Sequence, residues 1–489
     1  MSIQARGDGG EPGPSWETPS DVADGAPGRL RVFFVSRDFP PVSHSGTLRS
    51  EAFARHLPEF GIDPIIFTSR PDPGSGSNAY ESATLATWRD DPRWLPVSRM
   101  AWTDPHPPGA RTARLAARIP GVASLASQRR RQRLVRQLMP SVELLLAQHA
   151  PSAVYASAMP SETLILAAEI GRRHSLPVLA DLRDPWSYHC APPYRHMVDF
   201  WLERGLERRT LSACTRVITN TTLMRHLLVQ ELGVPDERIL LIPNGYDESD
   251  FTTVDAERSP LESGRFTIVH AGQLASDGRD PNGVLPTAKR LLGFDYDPLR
   301  ADFTPRSPRY LLAALRTLIE RRPELRDRLR VWFVGTSHGW RADTIERFPF
   351  PEVLKLVARV DPATAAEYVA RADLLFLPQN RYFLRGEDYC VCVPAKLYAY
   401  LRSGRRVLAC VQPSEVAQIV EHLAAGRVVS PVDVEAIAGA ISGELESWSV
   451  GRAPAVRVHP DVVQYDRRRL TGLLASALRQ VVVPRGHER

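Results

Sequence analysis

Lysine is nearly absent from this chain of 489 residues, although lysine and arginine together number 62. Only Lys289, Lys355 and Lys396 are lysines, and arginine supplies the remaining positive charge. We attribute this bias to a coding sequence rich in G and C. It makes a lysine in a predicted pocket informative, because this sequence usually carries positive charge as arginine.

Cysteine is scarce, and so are long apolar runs. The five cysteines are odd in number, and Cys390 and Cys392 lack the two-residue spacer of a zinc knuckle, so buried free thiols are expected. No stretch approaches the roughly 18 apolar residues of a membrane span, and the N-terminus lacks a signal-peptide pattern. These absences predict a cytoplasmic chain.

The length and composition indicate two folded domains. A domain usually has roughly 100–200 residues, so 489 residues exceed one core. Hydrophobic residues make up 43% and charged residues 24%, which is typical of a globular protein. The net charge of +6 is compatible with a nucleic-acid partner, a membrane partner or a cleft that attracts a diphosphate.

Strand and helix patterns alternate along two successive segments. Residues 1–28 are rich in Gly, Pro, Ser and acids, which predicts a disordered tail. Residues 29–255 read as one α/β domain, with a first strand at 31–36, a helix at 47–60 and further strands at 64–68, 153–157, 178–181 and 216–219. A polar linker precedes a second α/β domain at 265–455, and 456–489 contain a terminal helix and tail. The fold class is therefore α/β with two tandem Rossmann-like domains.

One connection in the second domain is unusually long. The 27 residues from 282 to 308 exceed the two to six that are common in such units. The two alternatives are an excursion over the cleft and a plain surface insertion.

Five segments, taken in order, resemble the family 4 glycosyltransferases and their relatives with the GT-B fold. They are RVFFVSRDFPPVSHSGTLRS, ADLRDPWS, ILLIPNGYDESDF, HAGQLASDGRDP and VPAKLYAYLRSGRRVLA, which start at positions 31, 180, 239, 270 and 393. The resemblance implies two facing Rossmann-like domains with a cleft between them and a last helix that returns to the first domain. It also implies metal-independent, usually retaining transfer from a nucleotide-diphosphate sugar, with no cofactor and no metal. None of the strands predicted above ends in an Asp-x-Asp motif, which agrees with that expectation.

The expected donor side lies mainly in the second domain. Departure of a diphosphate builds negative charge, which Lys396 at a helix start and Arg279 in the loop SDGRDP are expected to stabilise. Gly46 lets the first loop approach the donor closely. Thr47, Val393 and Leu397 in the matching segments are further expected donor contacts, and so is Gly335, in a loop expected to select the base.

The expected acceptor side lies at the end of a strand in the first domain. Asp184 is expected to accept hydrogen bonds from sugar hydroxyls, and Trp186 to stack on a sugar ring, with Arg183 and His189 beside them. The alternative for Asp184 and Trp186 is a packed corner with Asp184 as a helix cap. No base is required, because a departing phosphate oxygen takes the acceptor's proton in the family's retaining mechanism.

Ala399 departs from the family pattern, which has a ribose-binding Glu three residues after the lysine. Position 399 lies one turn from Lys396 on the same helix face, so the carboxylate is missing from an otherwise matching helix. Glu387 and Asp388 are candidate substitutes. Ala399 also keeps two other functions open: an inactive glycosyltransferase-like binding protein, and a nucleotide-sugar hydrolase or epimerase.

The remaining partner expectations concern a basic stretch at 128–133, QRRRQR. Its alternatives are a solvated helix face and an amphipathic element that docks on a membrane surface or an acceptor. Because it lacks interleaved aromatics, no nucleic-acid partner is expected. The expected partners are a nucleotide sugar, a small-molecule, glycan or lipid-linked acceptor, and at most weak peripheral contact with the inner face of a membrane.

Overall fold

The computed structural model describes most of the chain. The described residues are 29–40, 42, 45–70, 97–100, 102, 119–189, 193–252, 260–275, 294–335, 345, 347–451 and 457–482. The tail expected at 1–28 and the loop that contains Arg279 lie outside them.

The first domain is built on a parallel sheet of seven strands. The strands up to Leu241 are β1 Leu30–Ser36, β2 Ile62–Ser69, β3 Val97–Met100, β4 Ala153–Ala158, β5 Val178–Leu182, β6 Tyr194–His196, β7 Arg216–Thr219 and β8 Ile239–Leu241. All except β6 form the sheet, in the order β3-β2-β1-β4-β5-β7-β8. Its central strands are continuous apolar runs, because helices cover both of its faces.

Five helices in the described part of the first domain accompany this sheet. They are α1 Ser45–His56, α2 Val122–His149, α3 Glu162–His174, α4 Met197–Ser212 and α5 Thr222–Leu232. The basic stretch at 128–133 lies within α2, whose 28 residues include Pro140. Leu138 and Val142 of α2 are buried in the core of the domain.

The second domain repeats the architecture with a sheet of six parallel strands, and four further strands lie outside that sheet. Its strands are β9 Phe266–Ala271, β10 Phe294–Tyr296, β11 Leu299–Asp302, β12 Leu329–Val334, β13 Leu354–Val357, β14 Leu374–Pro378, β15 Arg381–Leu384, β16 Glu387–Asp388, β17 Arg406–Cys410 and β18 Gly426–Val429. The sheet order is β13-β12-β9-β14-β17-β18. Its helices are α6 Arg309–Arg321, α7 Leu325–Arg328, α8 Pro362–Ala370, α9 Ala395–Ser403, α10 Glu415–His422 and α11 Val434–Ser449. The chain order reverses between β9 and β14, which makes this pair the topological switch point of the sheet.

Segments of the second domain cross to the first and form a bridge. Strand β10 pairs antiparallel with β6, and β11, β15 and β16 form a small antiparallel sheet. Leu299 and Tyr382 of that sheet belong to the hydrophobic core of the first domain. The described part of the long connection, from 294 onward, is therefore an interdomain excursion rather than a plain surface insertion.

The last helix returns to the first domain, as the predicted fold requires. Helix α12, Arg467–Val482, packs on α1, and Leu474 and Leu478 are fully buried beside Val32 and Phe34 of β1. The predicted GT-B arrangement of two Rossmann-like domains is confirmed. No described helix has both the length and the apolar character to cross a membrane.

Four cysteines lie in the described part of the chain, and all four are free thiols. Cys214, Cys390 and Cys410 are buried, and Cys392 is partly exposed. This agrees with the expected buried thiols.

Candidate functional site

Lys396 lies in the first turn of α9, and its ammonium contacts a buried histidine. Lys396 Nζ is 3.0 Å from His270 Nε2, and His270 Nδ1 is 2.9 Å from the carbonyl oxygen of Phe376. A carbonyl only accepts, so Nδ1 carries the proton and donates, and Nε2 accepts from the ammonium. Burial and the charge of Lys396 lower the pKa of His270, which keeps the ring neutral. His270 therefore orients Lys396 from the switch point between β9 and β14.

A second cation, Arg306, interacts electrostatically with this pair. Arg306 ends a short 3-10 turn, Thr304–Arg306, that precedes α6. Burial, and then the charge of Arg306, lowers the pKa of Lys396. Two cations at the carboxyl edge of the sheet make a site that an anion would stabilise. Arg306 was not identified from the sequence, because its effect on Lys396 arises only in the folded chain.

Two glycines with positive φ follow the strands β9 and β12 next to Lys396. Gly272 follows β9 with a φ of 105°, and a Cβ built there would lie 3.0 Å from Lys396 Nζ. Gly335 follows the neighbouring strand β12 with a φ of 81°, and a Cβ there would lie 3.5 Å from the Gly272 nitrogen. Positive φ and close approach both favour glycine. Gly335 was expected here, whereas Gly272 was not singled out.

Two other predicted donor residues, Val393 and Leu397, have buried side chains. The side chains of Val393 and Leu397 are buried in the hydrophobic core of the second domain. Their direct contribution to a ligand is therefore limited to backbone groups. Arg279 lies outside the described residues.

Gly46 and Arg183 are brought together at the carboxyl edge of the first sheet. A Cβ on Gly46 would lie 1.1 Å from Arg183 Nη1, so only glycine leaves room for the guanidinium. Arg183 donates from Nη2 to the Met159 carbonyl at 3.0 Å and from Nε to the Ala158 carbonyl. Beside Gly46, Thr47 is buried, and its hydroxyl has no hydrogen-bond partner within the described residues. Arg183 thus braces the loop after β4 against the start of α1.

A buried ion pair fixes α1 on the sheet, and the sequence analysis missed it. Arg49 donates from Nε and Nη2 to the two carboxylate oxygens of Asp181, at 2.9 and 3.1 Å. It also donates to the carbonyls of Ile242 and Pro243, and Tyr155 donates its hydroxyl to Asp181. The bidentate geometry satisfies both charges. It ties the helix that carries Gly46 and Thr47 to the end of β5.

The predicted acceptor residues occupy different environments. Asp184 is exposed just after β5. Trp186 is 3% exposed and donates from Nε1 to Glu203 Oε2 at 3.1 Å, so its ring lies in a packed corner of the domain. His189 is partly buried against Tyr194, with ring centroids 4.7 Å apart, and burial lowers its pKa.

Other polar groups lie in the second domain. Glu387 and Asp388 are exposed on β16, and Asp388 lies 3.9 Å from Arg381. Gln379 and Asn380 follow β14 at the switch point, are nearly buried, and each has a side-chain oxygen with no partner in the described part of the chain. Those two amides are acceptor groups that the sequence analysis did not identify.

Among the described residues, no set of three or more His, Cys, Asp and Glu side chains is arranged to hold a metal ion.

Comparisons with known proteins agree with this architecture. Residues 47–245 match the family model described as a glycosyl transferase 4-like domain. No curated protein matches the sequence.

Among solved structures, sucrose-phosphate synthase from Thermosynechococcus elongatus has a TM-score of 0.58 at 13% identity, covering 93% of this chain and 99% of that one. Anabaena HepE in complex with UDP and glucose has a TM-score of 0.55 at 15% identity, covering 92% and 100%. A putative UDP-N-acetylglucosamine 2-epimerase from Listeria monocytogenes has a TM-score of 0.52 at 9% identity, covering 94% and 98%. These likenesses concern the fold.

Proposed function

We propose that this chain, which carries a glycosyl transferase 4-like domain in a GT-B fold, transfers a sugar from a nucleotide-diphosphate sugar to an acceptor. The observation that carries the proposal is the cationic site of Lys396 and Arg306 at the switch point. Lys396 sits 3.0 Å from a neutral histidine and in the first turn of a helix. Ligands of open α/β sheets bind at such a point.

The charges of this site suit the leaving group. When the bond from the anomeric carbon to the phosphate oxygen breaks, its electron pair leaves with the diphosphate. Lys396, Arg306 and the start of α9, which no side chain caps, would stabilise that charge. Burial and the charge of Arg306 lower the pKa of Lys396, and a diphosphate beside it would favour the charged ammonium.

The acceptor would approach from the first domain. Its hydroxyl oxygen bonds to the anomeric carbon, and its proton passes to the departing phosphate oxygen, which gives a retaining transfer without a protein base. Asp184, exposed at the end of β5, is the group we propose to orient the acceptor. The proposed reaction needs no metal, and its proposed location is the cytoplasm, at the inner face of the membrane.

Nucleotide binding provides the first test. We expect one of UDP, GDP, dTDP and ADP to raise the melting temperature, because a ligand at 100 times its Kd stabilises the folded state by about 2.7 kcal/mol. The shift should persist in excess EDTA. If none of the four nucleotides shifts the melting temperature, the chain is a binding protein without a donor site and the proposal fails.

Product analysis separates transfer from the alternatives. With the nucleotide sugar whose base gave the shift, a transferase releases the nucleotide diphosphate only as acceptor is consumed. Release of free sugar without acceptor would indicate a hydrolase. A changed sugar on an intact nucleotide would indicate an epimerase.

A further inference from the structure

The beginnings of α2 and α4 lie side by side on the surface of the first domain. The Ser124 nitrogen donates to Asp199 Oδ1 at 3.3 Å, and Gln128 Nε2 donates to the Leu202 carbonyl at 3.0 Å. A Cβ on Gly121 would lie 3.2 Å from Val198 Cγ1. The two helix ends therefore form one continuous surface.

That surface is apolar and exposed. Of the eleven exposed large hydrophobic residues in the described part of the chain, six lie at these two helix ends: Ile119, Val122, Leu125, Met197, Val198 and Trp201. We call these six the apolar patch. Their exposed fractions run from 36% for Val122 to 54% for Ile119. Contiguous apolar surface of this kind marks an interaction site.

The charges around the apolar patch have one sign. From 105 to 142 the sequence contains eight arginines and no acid. On α2, the exposed Arg129 and Arg133 continue the helix face that begins with Val122 and Leu125, since they follow at helical spacing.

Helix α4 separates its charges in the same way. Its acids, Asp199, Glu203 and Glu207, are all buried, while Arg208 and Arg209 are exposed. Arg204 lies over the ring of Trp201, with its guanidinium carbon 5.0 Å from the centroid. Every exposed charge along both helix starts is therefore positive.

The position of the patch relates it to the acceptor side. Helix α2 leads into β4, and α4 follows the segment after β5, so both helices begin at the carboxyl edge of the first sheet. Arg183 and Asp184 lie at this same edge.

We propose that the apolar patch and its arginines dock this chain on an anionic lipid bilayer. Apolar side chains including a Trp, flanked by arginine, match the boundary between acyl chains and phosphate headgroups. A second copy of the chain fits this surface poorly, because a symmetric dimer would place arginine against arginine. The inference rests on the proposed function only for the location at the inner face of the membrane. Binding to a bilayer itself needs no sugar transfer.

Vesicle co-sedimentation tests the proposal on the full chain. Wild type should bind vesicles of phosphatidylcholine with phosphatidylglycerol, and bind phosphatidylcholine alone much less. We expect Val198→Ser/Trp201→Ser and Arg129→Gln/Arg133→Gln each to reduce binding roughly tenfold or more, because each removes two contacts with the interface. High salt should release the wild type.

Matched controls change exposed residues elsewhere. Val450→Ser removes a side chain that is 66% exposed, and Lys355→Gln/Arg469→Gln removes two exposed charges. Both controls should bind as the wild type does, with melting temperatures checked for every variant.

Several outcomes would overturn the inference. They are no binding to anionic vesicles, equal losses in the controls, or a dimer in sedimentation velocity that Val198→Ser/Trp201→Ser abolishes. If a nucleotide still raises the melting temperature of a variant that cannot bind vesicles, the proposed sugar transfer remains supported independently of the membrane contact.

Discussion

At the scale of single residues, Lys396 combines a helix N-terminus, a neutral histidine and a nearby arginine. His270 accepts a hydrogen bond from the ammonium, and the absence of a Cβ at Gly272 leaves room for the ammonium beside β9. Loss of its charge-assisted contact to a leaving group should cost roughly 1.5–3 kcal/mol. We therefore predict that Lys396→Ala lowers turnover at least about tenfold, measured as steady-state kcat.

Lys355 supplies the matched control for this change, since it is an exposed lysine on β13. Lys355→Ala should leave kcat unchanged. A Lys396→Ala protein with wild-type kcat and an intact fold would remove Lys396 from the site.

Ala399 is the position where a carboxylate is missing from α9. A Glu there would accept two ribose hydroxyl hydrogen bonds, and its absence should weaken nucleotide binding by on the order of 2 kcal/mol. We predict that Ala399→Glu tightens nucleotide diphosphate binding tenfold or more in calorimetry, and that Ala399→Gln gains less. If binding weakens or stays the same, the ribose is held elsewhere, and Glu387, Asp388, Gln379 and Asn380 are the residues to test.

Glu207 connects pH to stability. Burial raises its pKa to about 7, while the unfolded value is about 4.3. The folded state thus favours the neutral carboxyl, and this stabilisation is present at acid pH and lost as pH rises through 7. Between pH 5 and pH 8, the unfolding free energy of the wild type should fall by about 2 to 3 kcal/mol more than that of Glu207→Gln.

Urea denaturation at the two pH values measures the difference. Glu421→Gln, at an exposed position on α10, should follow the wild type at both. Parallel pH dependence of Glu207→Gln and the wild type would show that the buried carboxyl does not titrate in this range.

At the scale of elements, α12 holds the ends of the chain together. Leu474 is fully buried beside β1, and truncating such a side chain typically costs 2–5 kcal/mol. We predict that Leu474→Ala lowers the unfolding free energy by about that much in urea, whereas Arg469→Ala, on the exposed face, changes it by less than about 0.5 kcal/mol. Equal effects of the two changes would contradict the packing of α12 on the first domain.

Elements with strong local patterns could be predicted from the sequence. The first strand was expected at 31–36 and is found at Leu30–Ser36, and the helix expected to start near Ala395 does so. The basic stretch at 128–133 was interpreted as a solvated helix face or an amphipathic element, and it lies in helix α2, whose bounds were not predicted. Strands β6 and β10 have three residues each and pair only across the domains, so no local pattern reports them.

The residues of the candidate site also fall into two groups: those that the sequence identified and those that only the fold brings together. Lys396 lies in a segment with a recognisable motif, so the sequence alone singled it out. His270, Gly272 and Arg306 act through proximity to Lys396 that only the folded sheet creates. Trp186 was identified from the sequence, but its environment was not. A tryptophan near a strand end is equally compatible with stacking on a ligand and with a packed corner, and its hydrogen bond to Glu203 indicates the packed corner.

At the scale of the whole molecule, the bridge adds a second connection between two domains that GT-B folds place around a cleft. Tyr296 of β10 packs on Phe200 of α4, with ring centroids 5.1 Å apart. Leu299 is 1% exposed within the first domain's core. Thr221 donates its hydroxyl to the Val391 carbonyl at 2.8 Å. Opening of the cleft would break these contacts together.

We therefore predict that saturating nucleotide leaves the radius of gyration unchanged within error in small-angle X-ray scattering, even where it raises the melting temperature. Loosening the bridge by Tyr296→Ala/Leu299→Ala should free the domains to separate, because both side chains lose their packing on the first domain. That variant should have a larger radius of gyration, which nucleotide then reduces. A wild type that contracts on binding nucleotide as much as the variant does would show that the bridge does not restrain the cleft.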